Sequence, residues 1–125
     1  MNIPSPAVNP ENKPFFDAAR EGRLLIKRCL ACGEHHYYPR AHCPFCGSPQ
    51  TEWIDSRGRG RIYSFSVMRR VAEPYAIAYV TLDEGVSMLT NLVDCQFDQL
   101  KIGAPVRVVF RSAAGGEAIP MFMPL

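Results

Sequence analysis

Four of the five cysteines in this 125-residue chain stand in two matched pairs, Cys29-Leu30-Ala31-Cys32 before Gly33 and Cys43-Pro44-Phe45-Cys46 before Gly47. Two thiolates at Cys-x-x-Cys spacing can hold one metal ion from a single tight turn. A second such turn completes the tetrahedral shell of a closed structural zinc site. Cys29, Cys32, Cys43 and Cys46 are therefore the expected metal ligands. A glycine just after each second cysteine lets the backbone take positive φ and turn its amides toward the sulfurs, which a Cβ would resist. Pro44 stiffens the second turn. Ten residues separate the pairs, fewer than the roughly 15–20 of one common four-cysteine pattern, so a compact ribbon is expected.

The same ligands leave other chemistries open. A rubredoxin-like iron site uses four cysteines too, because soft thiolates do not separate the two metals. Disulfides would need an oxidising compartment, which nothing else in the chain supports, and a redox-active tetrad is the remaining reading. His35, His36 and His42 are ligand types near the pairs, but four thiolates already fill the shell, so they read as surface or supporting groups. Lys27, Arg28 and Arg40 read as cations offsetting the formal double negative charge of a tetrathiolate around a divalent ion.

A complete catalytic set is missing from the pattern. A nucleophile needs an adjacent base, and Cys95 has no histidine near it in sequence, so it reads as a small buried hydrophobe. A catalytic zinc keeps an open coordination position, which four cysteines do not leave. The chain alone is not expected to turn over substrate.

A net charge of +2 and 47% apolar residues suit one ordinary soluble domain or two small ones. A chain holding nucleic acid by charge alone would be more basic, or would gather its charge on one face. Met1 to Pro14 is polar and proline-rich, with no basic start before an apolar run, so no leader is expected. No stretch approaches the roughly 20 apolar residues of a membrane span, and a cytoplasmic setting agrees with reduced thiolates.

The elements that must position the cysteines follow in order. An extended arm over Met1 to Asn9 leads to a short helix capped at Asn9 or Asn12 and ended by Gly22. Phe15, Ala18, Ala19 and Gly22 share one face of it, with Phe16 to the side. That face suits packing on its own domain or docking on another subunit. Arg23 to Arg28 reads as a strand entering the first knuckle and His35 to Pro39 as one leaving it. The ribbon is too short to bury much, so metal binding must supply its folding energy.

After Cys46 comes a polar crossover containing Trp53. The pattern then changes to period two over Arg61–Arg69, Tyr75–Leu82, Val86–Val93, Val106–Arg111 and Ala118–Met123, bounded by turns such as Asp83-Glu84-Gly85. A single helical turn over Phe97–Gly103 precedes the fourth strand. The fold class is mainly β: an N-terminal short helix and zinc ribbon followed by a five-stranded, partly open Greek-key barrel of the OB type, with a small sandwich as competitor. The expected units are 1–22 for arm and docking helix, 23–52 for the ribbon and 53–125 for the barrel.

These residues carry a resemblance that covers nearly the whole chain from Glu11. Its segments are Ala-Ala-Arg-Glu-Gly-Arg-Leu ending the helix, the paired knuckles, Gly60-Arg61-Ile62-Tyr63-Ser64-Phe65, Pro74-Tyr75-Ala76-Ile77-Ala78, Leu82-Asp83-Glu84-Gly85, Lys101-Ile102-Gly103-Ala104-Pro105-Val106 and Ile119-Pro120-Met121-Phe122-Met123-Pro124. In this order they resemble the zinc-ribbon plus OB-fold proteins that accompany acyl-CoA enzymes. The resemblance implies a rubredoxin-like knuckle, an OB barrel and a complex with a thiolase-like enzyme, or in some members a hydratase or retro-aldolase. The family usually has a tryptophan where Phe16 stands, and the change keeps an aromatic anchor.

The resemblance thus implies a non-catalytic accessory subunit that helps enclose an acyl-CoA near another chain's catalytic residues. Arg57, Arg59, Arg61, Arg69 and Arg70 could meet CoA phosphates or form a solvated edge, and no cofactor-binding residue is assigned. Met121, Phe122 and Met123 suit a contact surface or a core strand. The alternative is a single-stranded nucleic-acid-binding OB protein, with Tyr75 and Tyr79 on one strand face as a stacking platform.

Overall fold

Helix α1 (Lys13–Arg20) begins at Asn12. The expected cap works differently from the standard one: Asn12 occupies the cap position, but its Oδ1 accepts from the Asn9 amide (2.8 Å) while Asn9 Oδ1 accepts from the Asn12 amide (3.0 Å). Pro14 lies in the first turn, where a missing N–H costs nothing. Gly22 ends the helix at φ 79°, and the Arg23 amide donates to the Ala18 carbonyl at 3.0 Å. The computed structural model describes residues 2–125, so Met1, the first residue of the expected arm, lies outside the described residues.

The apolar face of α1 packs within the chain. Phe15 and Phe16 are both buried, edge to face with ring centres 5.1 Å apart, and Phe15 meets Tyr37 in the same way. The helix contacts β1 (Leu25–Cys29) and β8 (Ala118–Pro124), so it joins the two halves of the chain. Of the two roles open to that face, intramolecular packing is the one the fold uses.

The ribbon is a three-stranded antiparallel sheet in the order β2-β1-β3, with β2 at His35–His36 and β3 at Thr51–Asp55. Two expectations change here. The exit strand is only two residues long, because the chain turns away after His36. Trp53 sits on a strand rather than in a crossover, since Thr51–Asp55 pairs along its whole length with β1. The expected boundary between residues 52 and 53 therefore falls inside β3.

Five further strands, β4 (Arg59–Met68), β5 (Tyr75–Leu82), β6 (Ser87–Leu92), β7 (Pro105–Ser112) and β8, close a barrel in the order β4-β5-β6-β8-β7. It is closed where the sequence suggested partial opening: β7 returns to β4 through Arg59↔Arg107, Gly60↔Val106 and Arg61↔Pro105. Only β6 and β8 run parallel. Closure removes the exposed sheet edge that invites pairing with other chains. A 3₁₀ turn at Phe97–Gln99 stands for the expected helical turn before β7.

Alternation sets the barrel interior. Ala76, Ala78, Val80 and Leu82 of β5 are buried, with Tyr75, Ile77, Tyr79 and Thr81 between them facing outward. A β-bulge at Tyr63 shifts the register of β4 between Ile62 and Ser64. At Gly60 a Cβ would stand 2.4 Å from the Thr81 carbonyl oxygen, so only glycine permits this approach of β4 to β5. Met121 and Phe122 are buried, which assigns the closing segment to the core rather than to a contact surface. Phe15, Leu24 and Ile26 belong to the same apolar cluster as Ile62, Val80 and Phe122. The ribbon's base thus shares the barrel's core, and metal is not its sole support.

Candidate metal centre and its surroundings

The two knuckles are built alike. β1 delivers Cys29 and turns through Gly33 (φ 80°), whose amide donates to the Cys29 carbonyl at 2.9 Å; Gly47 (φ 79°) donates to the Cys43 carbonyl at 2.8 Å. Inside the turns, the Cys32 amide points at Cys29 Sγ and the Phe45 amide at Cys43 Sγ, each at 3.4 Å. At Cys29 the Cys32 amide favours thiolate over thiol.

All four Sγ atoms lie within 4.8 Å of one another, with Cys29 Sγ to Cys46 Sγ at 3.6 Å and Cys32 Sγ to Cys43 Sγ at 3.7 Å. Four sulfurs at about 2.3 Å from a tetrahedral zinc stand about 3.8 Å apart. The spacing and the all-sulfur donor set therefore fit such an ion. Cys29 and Cys43 are buried, while Cys32 and Cys46 face solvent.

The sulfurs do not ionise alike. Amide donation, foremost from Cys32, draws the Cys29 thiol down to about 6. For Cys32 the Glu34 amide acts downward, but burial and the crowding of three neighbouring sulfurs outweigh it and push the thiol up to about 12. Cys46 is also raised, its Ser48 amide contact being outweighed by Cys29 and burial. Cys29 gives up its proton easily, while Cys32 and Cys46 resist. A divalent cation reverses that resistance, because it binds the sulfurs as thiolates.

The neighbouring cations have other partners. Lys27 donates to Thr51 Oγ1 (3.1 Å) and sits 4.5 Å from the centre of the Trp53 ring, and burial lowers its pKa. Arg28 pairs with Glu52 at 3.8 Å, and Arg40 with Glu11 at 3.7 Å while covering Tyr38. Packing and ion pairing thus hold these cations in the fold. None of the histidines joins the sulfur cluster. His36 is buried and neither ring nitrogen has a hydrogen-bond partner of ordinary geometry; burial, then the Lys27 charge, lowers its pKa against a weak opposing influence from the Arg40 backbone.

Cys95 is half-buried beside Asp94, Gln96 and Gln99 in a surface cleft of about 590 Å³, and burial followed by the Asp94 charge raises its thiol pKa. A raised pKa, in a cleft whose one carboxylate side chain, Asp94, is paired with Arg111, makes it a poor nucleophile. The arginines separate. Arg69 pairs with Asp98 at 2.9 Å, whereas Arg59 and Arg61 lie on the outer face of β4, beside Arg107 of β7. Sequence reading missed Arg107, because only the strand register brings it to them. Tyr79 is exposed and Tyr75 partly so, so both lie on the outer wall rather than in the barrel.

Residues 16–52 match the family profile described as ChsH2, rubredoxin-like zinc ribbon domain, and residues 53–111 match ChsH2, C-terminal OB-fold domain. The chain belongs to the ChsH2 zinc-ribbon and OB-fold family. Among relatives of this ChsH2-type chain is the Thermomonospora curvata protein named "Probable enoyl-CoA hydratase alpha subunit", 36% identical over 97% of this chain. This chain spans 40% of that protein's length. The benzoylsuccinyl-CoA thiolase subunit BbsA of Thauera aromatica is 30% identical, with 74% of each chain covered. Among solved structures, a chain of an Ltp2-ChsH2(DUF35) aldolase superposes with a TM-score of 0.83 at 36% identity, covering 96% of this chain and 98% of that one. Among the described residues, no helix is long and apolar enough to cross a membrane.

Proposed function

We propose that this chain is a non-catalytic accessory subunit of an acyl-CoA-metabolising enzyme, in first place a thiolase-like acyltransferase, with a hydratase or retro-aldolase as the other possible partners. The observation that carries the reading is the joining of a four-sulfur ribbon to a closed barrel in a chain similar over nearly all its length to subunits of such enzymes. Cys29, Cys32, Cys43 and Cys46 would hold a structural zinc ion, whose contribution is to fix the knuckles as thiolate turns. The shell is then filled, leaving the ion no substrate position. The arm and helix, the ribbon and the barrel form three parts of one docking body, placed beside an enzyme subunit so that the acyl-CoA is enclosed and water excluded from the thioester. A set of reduced thiolates supports a cytoplasmic setting.

The test is co-expression with thiolase-like, hydratase and aldolase subunits of the source organism, followed by size-exclusion chromatography and metal analysis. A stable complex with one of them, and one zinc per chain, are expected. A colourless protein separates zinc from an iron tetrathiolate, which absorbs visible light. A chain that binds none of these subunits and processes an acyl-CoA unaided overturns the reading.

A further inference from the structure

The four sulfur residues of the ribbon differ in their access to solvent. Cys29 and Cys43, the first cysteine of each knuckle, are 0% and 3% exposed, whereas Cys32 and Cys46, the second of each, open to solvent on turns whose tips, Leu30 and Phe45, are also exposed. The close sulfur contacts cross from one knuckle to the other: Cys46 Sγ stands 3.6 Å from Cys29 Sγ, and Cys32 Sγ stands 3.7 Å from Cys43 Sγ. Each exposed sulfur thus has a buried sulfur of the opposite knuckle as its neighbour. Backbone pairing sets this arrangement. Cys29 is registered with Thr51 across β1 and β3, and the Leu30 amide donates to the Gln50 carbonyl at 2.8 Å. The entry to the first knuckle is therefore fastened to the exit from the second by peptide groups of the ribbon's base.

We propose that Cys32 and Cys46 are sites of oxidation by a hydroperoxide, and that the buried Cys43 and Cys29 resolve them into disulfides that cross between the knuckles. Thiolate character and exposure together select the sulfur that an oxidant attacks. A metal-bound cysteine is already a thiolate, so exposure is what separates the four. The Cys46 sulfur attacks one peroxide oxygen, the O–O bond breaks, and hydroxide leaves a sulfenic acid behind. The Cys29 thiolate then attacks that sulfur, its S–O bond breaks, and a second hydroxide departs as the S–S bond forms. The two sulfurs lose two electrons and the peroxide gains two, while each hydroxide takes a proton from solvent. Cys32 and Cys43 follow the same two steps. The zinc ion, its ligands consumed, leaves unchanged in charge. A disulfide within one Cys-x-x-Cys would close a single turn on itself and leave the knuckles untied. Crossed bonds, joining residues 17 and 11 positions apart, tie knuckle to knuckle as the ion did. The oxidised ribbon therefore exchanges its ion for covalent links and keeps its fold. This inference rests on the zinc assignment made above and not on the choice of enzyme partner.

The test uses the whole zinc-loaded protein, assayed for metal and then treated with hydrogen peroxide, with a chromogenic chelator reporting zinc and peptide mass spectrometry reporting the sulfurs. With dimedone present to trap sulfenic acid, early adducts at Cys32 and Cys46 are expected to exceed those at Cys29 and Cys43 by about tenfold. Without dimedone, zinc should be released as disulfides from Cys29 to Cys46 and from Cys32 to Cys43 appear, and a thiol reductant with added zinc should restore the starting ribbon spectrum. Cys95→Ser, which removes the one cysteine outside the ribbon, should release zinc at the parent's rate. The inference is overturned by first adducts at a buried ligand or at Cys95, by disulfides within a knuckle, by sulfinic acid without any disulfide, or by full zinc retention in a large excess of peroxide. The metal assay separates the failures. A preparation without zinc overturns the zinc assignment and this inference with it, whereas a zinc-bearing protein that oxidises elsewhere overturns this inference alone.

Discussion

The ribbon and the barrel reach a defined structure by different physics. In the ribbon, one strand is two residues long and each knuckle is a turn with an exposed cysteine and an exposed apolar tip, Leu30 and Phe45. Little of it is buried except at its base, so local geometry converges on a point where an ion can act. The barrel's interior is packed with its own apolar side chains, and its strands satisfy one another's backbone in a closed circuit. An element built around four sulfurs thus rests on one built around an apolar core, and α1 joins them through Phe15 and Phe16.

The comparison is broken most severely at the sulfurs. Cys43→Ser should lose the ion, whose binding in small zinc domains is worth on the order of 10–16 kcal/mol. Elemental analysis should show no stoichiometric zinc, and amide spectra should show collapsed knuckle signals with the ribbon's base and the barrel retained. Full metal content and an unchanged spectrum would refute the ligand assignment. Phe15→Ala attacks the joint instead. It should cost about 3–5 kcal/mol in denaturant unfolding and lower both regions together, because the core is shared. Loss confined to the ribbon would show that the two halves are energetically separate.

Gly60→Ala strikes the barrel alone. Its added Cβ meets the Thr81 carbonyl, so a loss of about 1–3 kcal/mol is expected with zinc content unchanged. A smaller, pH-dependent effect belongs to His36. Its folded pKa lies below the ordinary value of about 6.5, so the fold favours the neutral ring. That stability is complete above the unfolded pKa and is lost as pH falls toward the folded one. His36→Leu should flatten the difference in melting temperature between pH 7.5 and 5.5 at constant excess zinc; an unchanged slope would exclude this histidine as the source. The smallest effect is Arg28→Ala, which removes an exposed ion pair with Glu52 and should change stability by less than about 1 kcal/mol.

How much could be read beforehand depended on how local each signal was. Cys-x-x-Cys with a following glycine is settled within one turn, so both knuckles were legible. The five barrel strands were legible from alternation, to within a residue or two at most ends. β3 was not, because Glu52 and Asp55 make Thr51–Asp55 look like a polar loop; pairing with β1 makes it a strand. The amphipathic face of α1 was visible, but what covers it was not, since β1 and β8 lie far from it in the chain. Arg107 was missed for the same reason. An isolated Val-Arg-Val stretch carries no sign that another arginine stands opposite.

By itself the order of residues determined the four-sulfur chemistry, the turns that present it and the two periodicities that divide the chain, because each depends on neighbours a few positions apart. Tertiary structure alone decided that the barrel closes, that the helix faces inward and that Arg59 and Arg107 face each other across two strands. Those outcomes turn on strand register, and register brings together residues as distant as Arg59 and Arg107, a pairing set by the packing of the whole interior rather than by any local preference.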